Sequence, residues 1–112
     1  KLVAPKLQSV EKMSFNLHDL EMLDMPQLKT ISVELVIQCY WPKNANNVLT
    51  NLNGLSALEK VRYVKFNNLK AFKDYSFLKR AVANGSITYL YANNTYYQPS
   101  LYDLQDGKFI KD

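Results

Sequence analysis

Apolar residues recur along the first third of the chain at a fixed offset. Leu2, Pro5, Leu7 and Val10 return 21 positions later as Leu23, Pro26, Leu28 and Ile31, with Ala4 answered by Met25 and Ser9 by Thr30. The pattern comes a third time, without its proline, as Leu55, Leu58 and Val61. Ile31 to Val61 is 30 positions rather than 21, so a segment is inserted, and the polar stretch Pro42 to Asn51 is the expected insert. Short alternating segments accompany these triads: Met13 and Phe15, then Val33, Leu35 and Ile37, then Val61, Tyr63, Val64 and Phe66. A fourth, Ile87, Tyr89 and Tyr91, ends in Asn93-Asn94 much as Phe66 is followed by Asn67-Asn68. Alternation predicts a short strand in each repeat. Parallel stacking is expected, because one repeat buries only a narrow apolar stripe until neighbours close both sides of it.

Between Phe72 and Asn84 the apolar period becomes helical. Phe77, Leu78, Ala81 and Val82 share a face while Lys73, Lys79 and Arg80 point away. Asp74 is the expected N-cap and Asn84-Gly85 the expected stop, which predicts a helix of about three turns. Beyond it, Pro99, Leu101, Tyr102, Leu104, Phe109 and Ile110 are spaced by polar residues and an Asp106-Gly107 turn. Such an apolar tail suits a cap over the last repeat, where a hydrophobic edge is otherwise open.

The segment Leu23-Asp24-Met25-Pro26-Gln27-Leu28-Lys29-Thr30-Ile31 resembles the Leu-Asp-Leu-Pro-x-Leu-x-x-Ile unit of leucine-rich repeats, in particular the receptor L domain-like repeats of surface proteins from Bacteroides-type bacteria. The resemblance extends through Gly54 to Val61, more loosely through Asp74 to Val82, and into the Tyr97 to Phe109 ending. It departs at the long insert, at the consensus Asn, matched only by Asn16 and Asn67, and at the helix in the fourth repeat. The resemblance implies an α/β fold: a short leucine-rich-repeat-like right-handed solenoid with one parallel sheet of short strands, one C-terminal amphipathic helix and a capping tail. The whole of 1–112 is expected to be one domain, with repeats near 2–22, 23–51, 52–72 and 73–97 and a cap at 98–112. The resemblance also implies an exported or cell-surface module that recognises or scaffolds and carries no catalytic residues.

Composition narrows the chemistry. With 47% apolar and 21% charged residues the chain lies well away from disorder, and no apolar run approaches the length of a membrane span. It opens on Lys1 without an initiator Met, so any export signal is expected upstream or already removed. A single Cys39 excludes an internal disulfide or multi-cysteine zinc site, and a single His18 excludes two-His constellations. His18-Asp19 reads as a solvated turn rather than a proton relay, and Cys39 as a buried structural thiol. Asp103 and Asp106 lack the spacing of a calcium loop and read as a plain Asp-Gly turn, and the Glu21/Asp24 and Asp103/Asp106 pairs make poor catalytic dyads without a deep pocket. No glycine-rich phosphate loop is present. No catalytic, cofactor-binding or metal-binding residue is therefore expected, and no cofactor.

Net charge is +4, and Lys60, Arg62, Lys65, Lys70 and Lys73 interleave with Tyr63 and Phe66. Glu59 and Asp74 interrupt the stripe, and nucleic acid is not an expected partner. The sequons at Asn84 and Asn93-Asn94-Thr95 mark exposed turns. The aromatics are more informative: of 8 Tyr, 5 Phe and 1 Trp, the tyrosines concentrate toward the C-terminal end. Tyr40, Trp41, Tyr89, Tyr91, Tyr96 and Tyr97 are the expected ligand-facing set, because flat amphipathic rings beside Asn suit a protein partner or a sugar. The expected function is non-enzymatic protein recognition or scaffolding. The alternatives are a carbohydrate-binding module using exposed Trp and Tyr, and a structural fragment of a longer repeat protein. Self-association through the N-terminal edge at Leu2 to Val10 is a further possibility.

Overall fold

The structure, a computed structural model, describes residues 1–16, 19–39 and 45–111. Among these, segments rich in Val, Ile, Thr, Tyr and Phe form the strands, as their fit to a pleated, half-buried surface dictates. The strands are β1 (Leu2–Val3), β2 (Ser9–Phe15), β3 (Leu23–Asp24), β4 (Thr30–Gln38), β5 (Lys60–Asn67) and β6 (Tyr89–Asn93). Two short helices, α1 (Lys79–Ala83) and α2 (Leu101–Gln105), follow β5 and β6 respectively, and single 3-10 turns occur at Asn53–Leu55 and Ser76–Leu78. β2, β4, β5 and β6 form one parallel sheet in that order, and β1 pairs with β3 in parallel beside it.

The sheet register reproduces the internal repeat. Leu2 pairs with Leu23, Ser9 with Thr30, Val10 with Ile31, and Ile31 in turn with Val61. Tyr63 then pairs with Tyr89 and Asn67 with Asn93. Behind the sheet the same neighbours touch again: the Met25 N–H donates to the Gly54 carbonyl at 2.9 Å, and Asn51 bridges Asp74. Backbones meet closely enough at Gly54 that a Cβ there would lie 1.8 Å from the Leu23 carbonyl oxygen. Only glycine fits that approach.

Where β5 and β6 end, Asn68 and Asn94 adopt left-handed backbone conformations, φ 60° and 53°, a region Asn tolerates better than other side chains. Their amides form a ladder. The Asn94 side chain donates to the Asn68 side chain at 2.8 Å, Asn68 donates to the Cys39 carbonyl, and Asn93 donates to Asn67 at 3.0 Å. Asn46, fully buried, donates to the Leu20 carbonyl and accepts from the Val48 and Leu49 N–H groups.

The core is a stripe of residues spaced by three. Leu49, Leu52, Leu55, Leu58, Val61, Val64, then Phe66, Leu69, Phe72, Tyr75, Leu78 and Ala81 are all essentially inaccessible. Residues three apart stand over one another in a 3-10 turn, so chain that turns corners in this way returns every third side chain to the interior. Four strands 4.7–4.9 Å apart span only about 15 Å, which makes the molecule nearly as deep as it is wide, 35 × 32 × 22 Å.

Three expectations are corrected. The helix between Phe72 and Asn84 is not three turns long: α1 has five residues, preceded by the 3-10 turn. The backbone at 73–75 is not helical because the Lys73 and Asp74 N–H groups bond to the Thr50 carbonyl and the Tyr75 N–H to that of Phe109. These bonds between neighbouring segments replace the first helical turns. Asp74 caps nothing in α1, and its carboxylate instead accepts from the Ser76 N–H at 2.9 Å. Asn84-Gly85 does end the helix, with Gly85 at φ 73°. Secondly, the tail holds the second helix, α2, opened by a capping box in which the Asp103 N–H bonds to the Ser100 hydroxyl and the Ser100 N–H to the Asp103 carboxylate. Its Leu104 is buried, and Ile110 bridges Asp74 antiparallel. Thirdly, the second half of the expected insert is not a polar excursion, since Ala45, Asn46 and Leu49 are buried and Asn46 bridges Leu69.

Candidate functional site on the outer face of the sheet

Three of the four main strands place their inward residues by one rule. Val10, Met13 and Phe15 in β2, Val61, Val64 and Phe66 in β5, and Ile87, Leu90 and Ala92 at β6 step by three and then by two. β4 takes one residue more, Ile31, Leu35 and Ile37, and the register shifts against both neighbours at that point. The step of three reverses which parity faces out. Tyr89 and Tyr91 therefore do not continue the apolar face of Ile87: they stand on the solvent side, opposite Leu90 and Ala92.

The outer face consequently carries rows of side chains at strand spacing. Lys12, Glu34, Tyr63 and Tyr89 form one row, Ser14, Val36, Lys65 and Tyr91 the next, and Gln38, Asn67 and Asn93 a third. Tyr63 and Tyr89 meet edge to face, centroids 6.2 Å apart and planes at 80°. The Arg62 guanidinium lies 5.1 Å from the Tyr63 ring centre and the Lys65 ammonium 5.9 Å from that of Tyr91. A shallow depression of about 550 Å³ lies over this cluster, lined by Glu34, Leu35, Val36, Arg62, Tyr63, Lys65, Thr88 and Tyr89. A second, of about 290 Å³, shares Arg62 and Thr88 and continues toward Thr30, Ser32, Lys60 and Ser86. Together they make a groove along β5.

The chain matches no family model, no curated protein and no solved structure. Its chemistry must be read from the side chains.

Of the sequence-predicted ligand-facing residues, Tyr89 and Tyr91 are 51% and 38% exposed and belong to this face. Tyr96 is equally exposed, in the turn after β6. Tyr97 is turned into the protein. Its hydroxyl donates to the Lys108 carbonyl at 2.7 Å and its ring packs edge-on against Tyr75, so it pins the tail to the core. Burial, followed by the nearby Asp103 charge, raises its pKa. Tyr40 and Trp41 lie outside the described residues, as does His18. Sequence reasoning noticed Arg62, Lys65 and Tyr63 as a basic stripe but did not join them to Tyr89 and Tyr91. The signal was the three-then-two step, which puts residues 26 positions apart side by side.

Three titratable groups elsewhere serve structure. Cys39 is free and buried, and burial raises its thiol pKa, so it stays protonated and a poor nucleophile. Burial pushes Tyr75 up to about 12, with its hydroxyl donating to the Tyr97 carbonyl at 2.8 Å. Asp103 is lowered by the Ser100 N–H and then by the Ser100 hydroxyl, which makes it a capping group. Among the described residues no cluster of His, Cys, Asp and Glu is placed to hold a metal, and no helix is long and apolar enough to cross a membrane.

Proposed function

We propose that the chain is a non-enzymatic recognition module of an exported or cell-surface protein. On this reading the parallel sheet is the front of a short, right-handed, leucine-rich-repeat-like solenoid, and its outer face binds a protein partner. Two observations support the architecture: the pairing of Leu2, Val10 and Ile31 with Leu23, Ile31 and Val61 at the repeat offset, and the Asn ladder at the strand ends; the right hand follows from the general preference of parallel crossovers. The single observation that carries the binding reading is the Tyr63, Tyr89 and Tyr91 cluster, held in rows with Arg62 and Lys65 on a solvent-facing sheet. Tyr and Arg are enriched at the energetic centres of protein interfaces, because they bring large contact area and fixed donors at low entropic cost.

The test is a binding screen of the wild-type chain and of a Tyr89→Ala, Tyr91→Ala double variant against panels of extracellular proteins and glycans, with folding of both followed by circular dichroism. A protein ligand bound saturably by the wild type and lost in the folded variant is the expected result. Saturable binding to glycans alone, or protein binding unchanged in the variant, would overturn the proposal.

A further inference from the structure

The groove along β5 carries a charge imbalance that the protein does not itself neutralise. Lys60, Arg62 and Lys65 are exposed along a strand segment of about 16 Å. The ion pair found among the described residues joins Lys108 to Asp106, away from this face, and Glu34, which lines the groove from the neighbouring strand, comes within 4.0 Å of none of the three cations. Arg62 and Lys65 rest instead on tyrosine ring faces, a weak hold at an exposed site that a carboxylate readily displaces.

The same geometry discriminates between classes of partner. Stacking of a sugar ring or a nucleobase needs a free aromatic face. Here Tyr63 and Tyr89 meet edge to face, and the faces of Tyr63 and Tyr91 carry the Arg62 and Lys65 cations. What the groove offers is tyrosine rings of which Tyr63 and Tyr91 already carry a cation, Val36 as an apolar floor, and three cations against the one carboxylate of Glu34. That arrangement complements an extended polypeptide whose aliphatic carbons lie on the floor and whose carboxylates reach the cations.

We infer that the groove over β5 takes an extended acidic segment of a partner protein, whose carboxylates pair with Lys60, Arg62 and Lys65; this rests on the recognition reading above and names the chemistry of its partner. The experiment uses fluorescence anisotropy with a labelled peptide of alternating Glu and Thr, the same peptide with Gln for Glu, a heparin oligosaccharide and a single-stranded oligonucleotide. The Glu peptide binds saturably, more weakly as salt rises, and the Gln peptide does not. Arg62→Gln with Lys65→Gln weakens the Glu peptide about tenfold, two exposed ion pairs of about threefold each. Lys6→Gln with Lys111→Gln removes the same net charge from exposed sites outside the groove and leaves the affinity within about twofold.

Absence of saturable binding overturns the inference, as does an equal loss in the control variant or tighter binding of the oligonucleotide or heparin than of the peptide. The two readings fail separately. If the Glu peptide does not bind while a protein ligand still depends on Tyr89 and Tyr91, the acidic specification falls and recognition stands. If that dependence is absent as well, both fall.

Discussion

Gly54 is where two neighbouring backbone segments approach too closely to admit a Cβ, and replacing it with Ala tests the packing behind the sheet. The added methyl group would lie 1.8 Å from the Leu23 carbonyl oxygen, 2.8 Å from its carbon and 2.9 Å from the Asp24 Cα. All three are backbone atoms, so no side-chain rotation relieves the clash. The segments must separate by more than 1 Å to restore van der Waals distance, estimated as roughly 3.5 Å between heavy atoms. That separation pulls the Met25 N–H from the Gly54 carbonyl, a 2.9 Å bond between buried segments. Overpacking of this kind costs about 1–3 kcal/mol, and a stranded buried hydrogen-bonding group adds about 1–3 kcal/mol. Gly54→Ala is therefore expected to lose about 2–6 kcal/mol, a large part of the roughly 5–15 kcal/mol that holds such a domain folded. Gly85→Ala provides the comparison. There φ is +73° and nothing lies within 4 Å, so only left-handed strain remains, about 1 kcal/mol. Urea denaturation followed by circular dichroism measures both variants. If Gly54→Ala falls within about 1 kcal/mol of the wild type, the close approach of the two segments does not exist in solution and the reasoning fails.

Other outcomes follow from the core and the titrating groups. Phe72 touches Phe66 and Tyr75, each at 4.9 Å between ring centres, so Phe72→Ala should cost about 3–5 kcal/mol by thermal or urea unfolding. Tyr75 ionises near 12 in the folded chain against an ordinary 10.0, so its contribution to stability is complete below pH 10 and lost as pH climbs toward 12. An absorbance titration should show one tyrosinate forming last, together with unfolding. The Asp103 pKa is lowered from 3.8, so its cap on α2 holds above that value and is lost as pH falls below it; the amides of α2 should lose hydrogen-exchange protection in acid before those of β5 do. Ser100→Ala removes the same cap at neutral pH for about 1 kcal/mol, and melting temperature reads the loss.

Much of the architecture was legible because the chain repeats itself. Leu2, Val10 and Ile31 could be aligned with Leu23, Ile31 and Val61 from the sequence, and the strands pair at those positions. The Asn67-Asn68 and Asn93-Asn94 pairs could be equated by eye, and their side chains do form a ladder. The Ser100-x-x-Asp103 spacing that opens α2 also stands in the sequence, inside the segment expected to cap the last repeat. The candidate site was harder. Simple alternation put Tyr89 and Tyr91 on the same face as Ile87, whereas the step of three between Ile87 and Leu90 turns them outward, as the step from Val61 to Val64 turns Tyr63.

The sequence by itself determined the repeat and the order and parallel pairing of the strands, because each is carried by residue type at a fixed spacing. Tertiary structure decided what local preference cannot hold. It cut the helix before α1 to a single 3-10 turn, since the N–H groups of 73–75 bond to Thr50 and Phe109 on other segments. It also gathered Arg62, Tyr63, Lys65, Tyr89 and Tyr91 into one cluster, since the register between β5 and β6 sets which side chains stand together. In both cases the deciding hydrogen bonds run between segments distant in the chain, and they exist only once those segments have stacked.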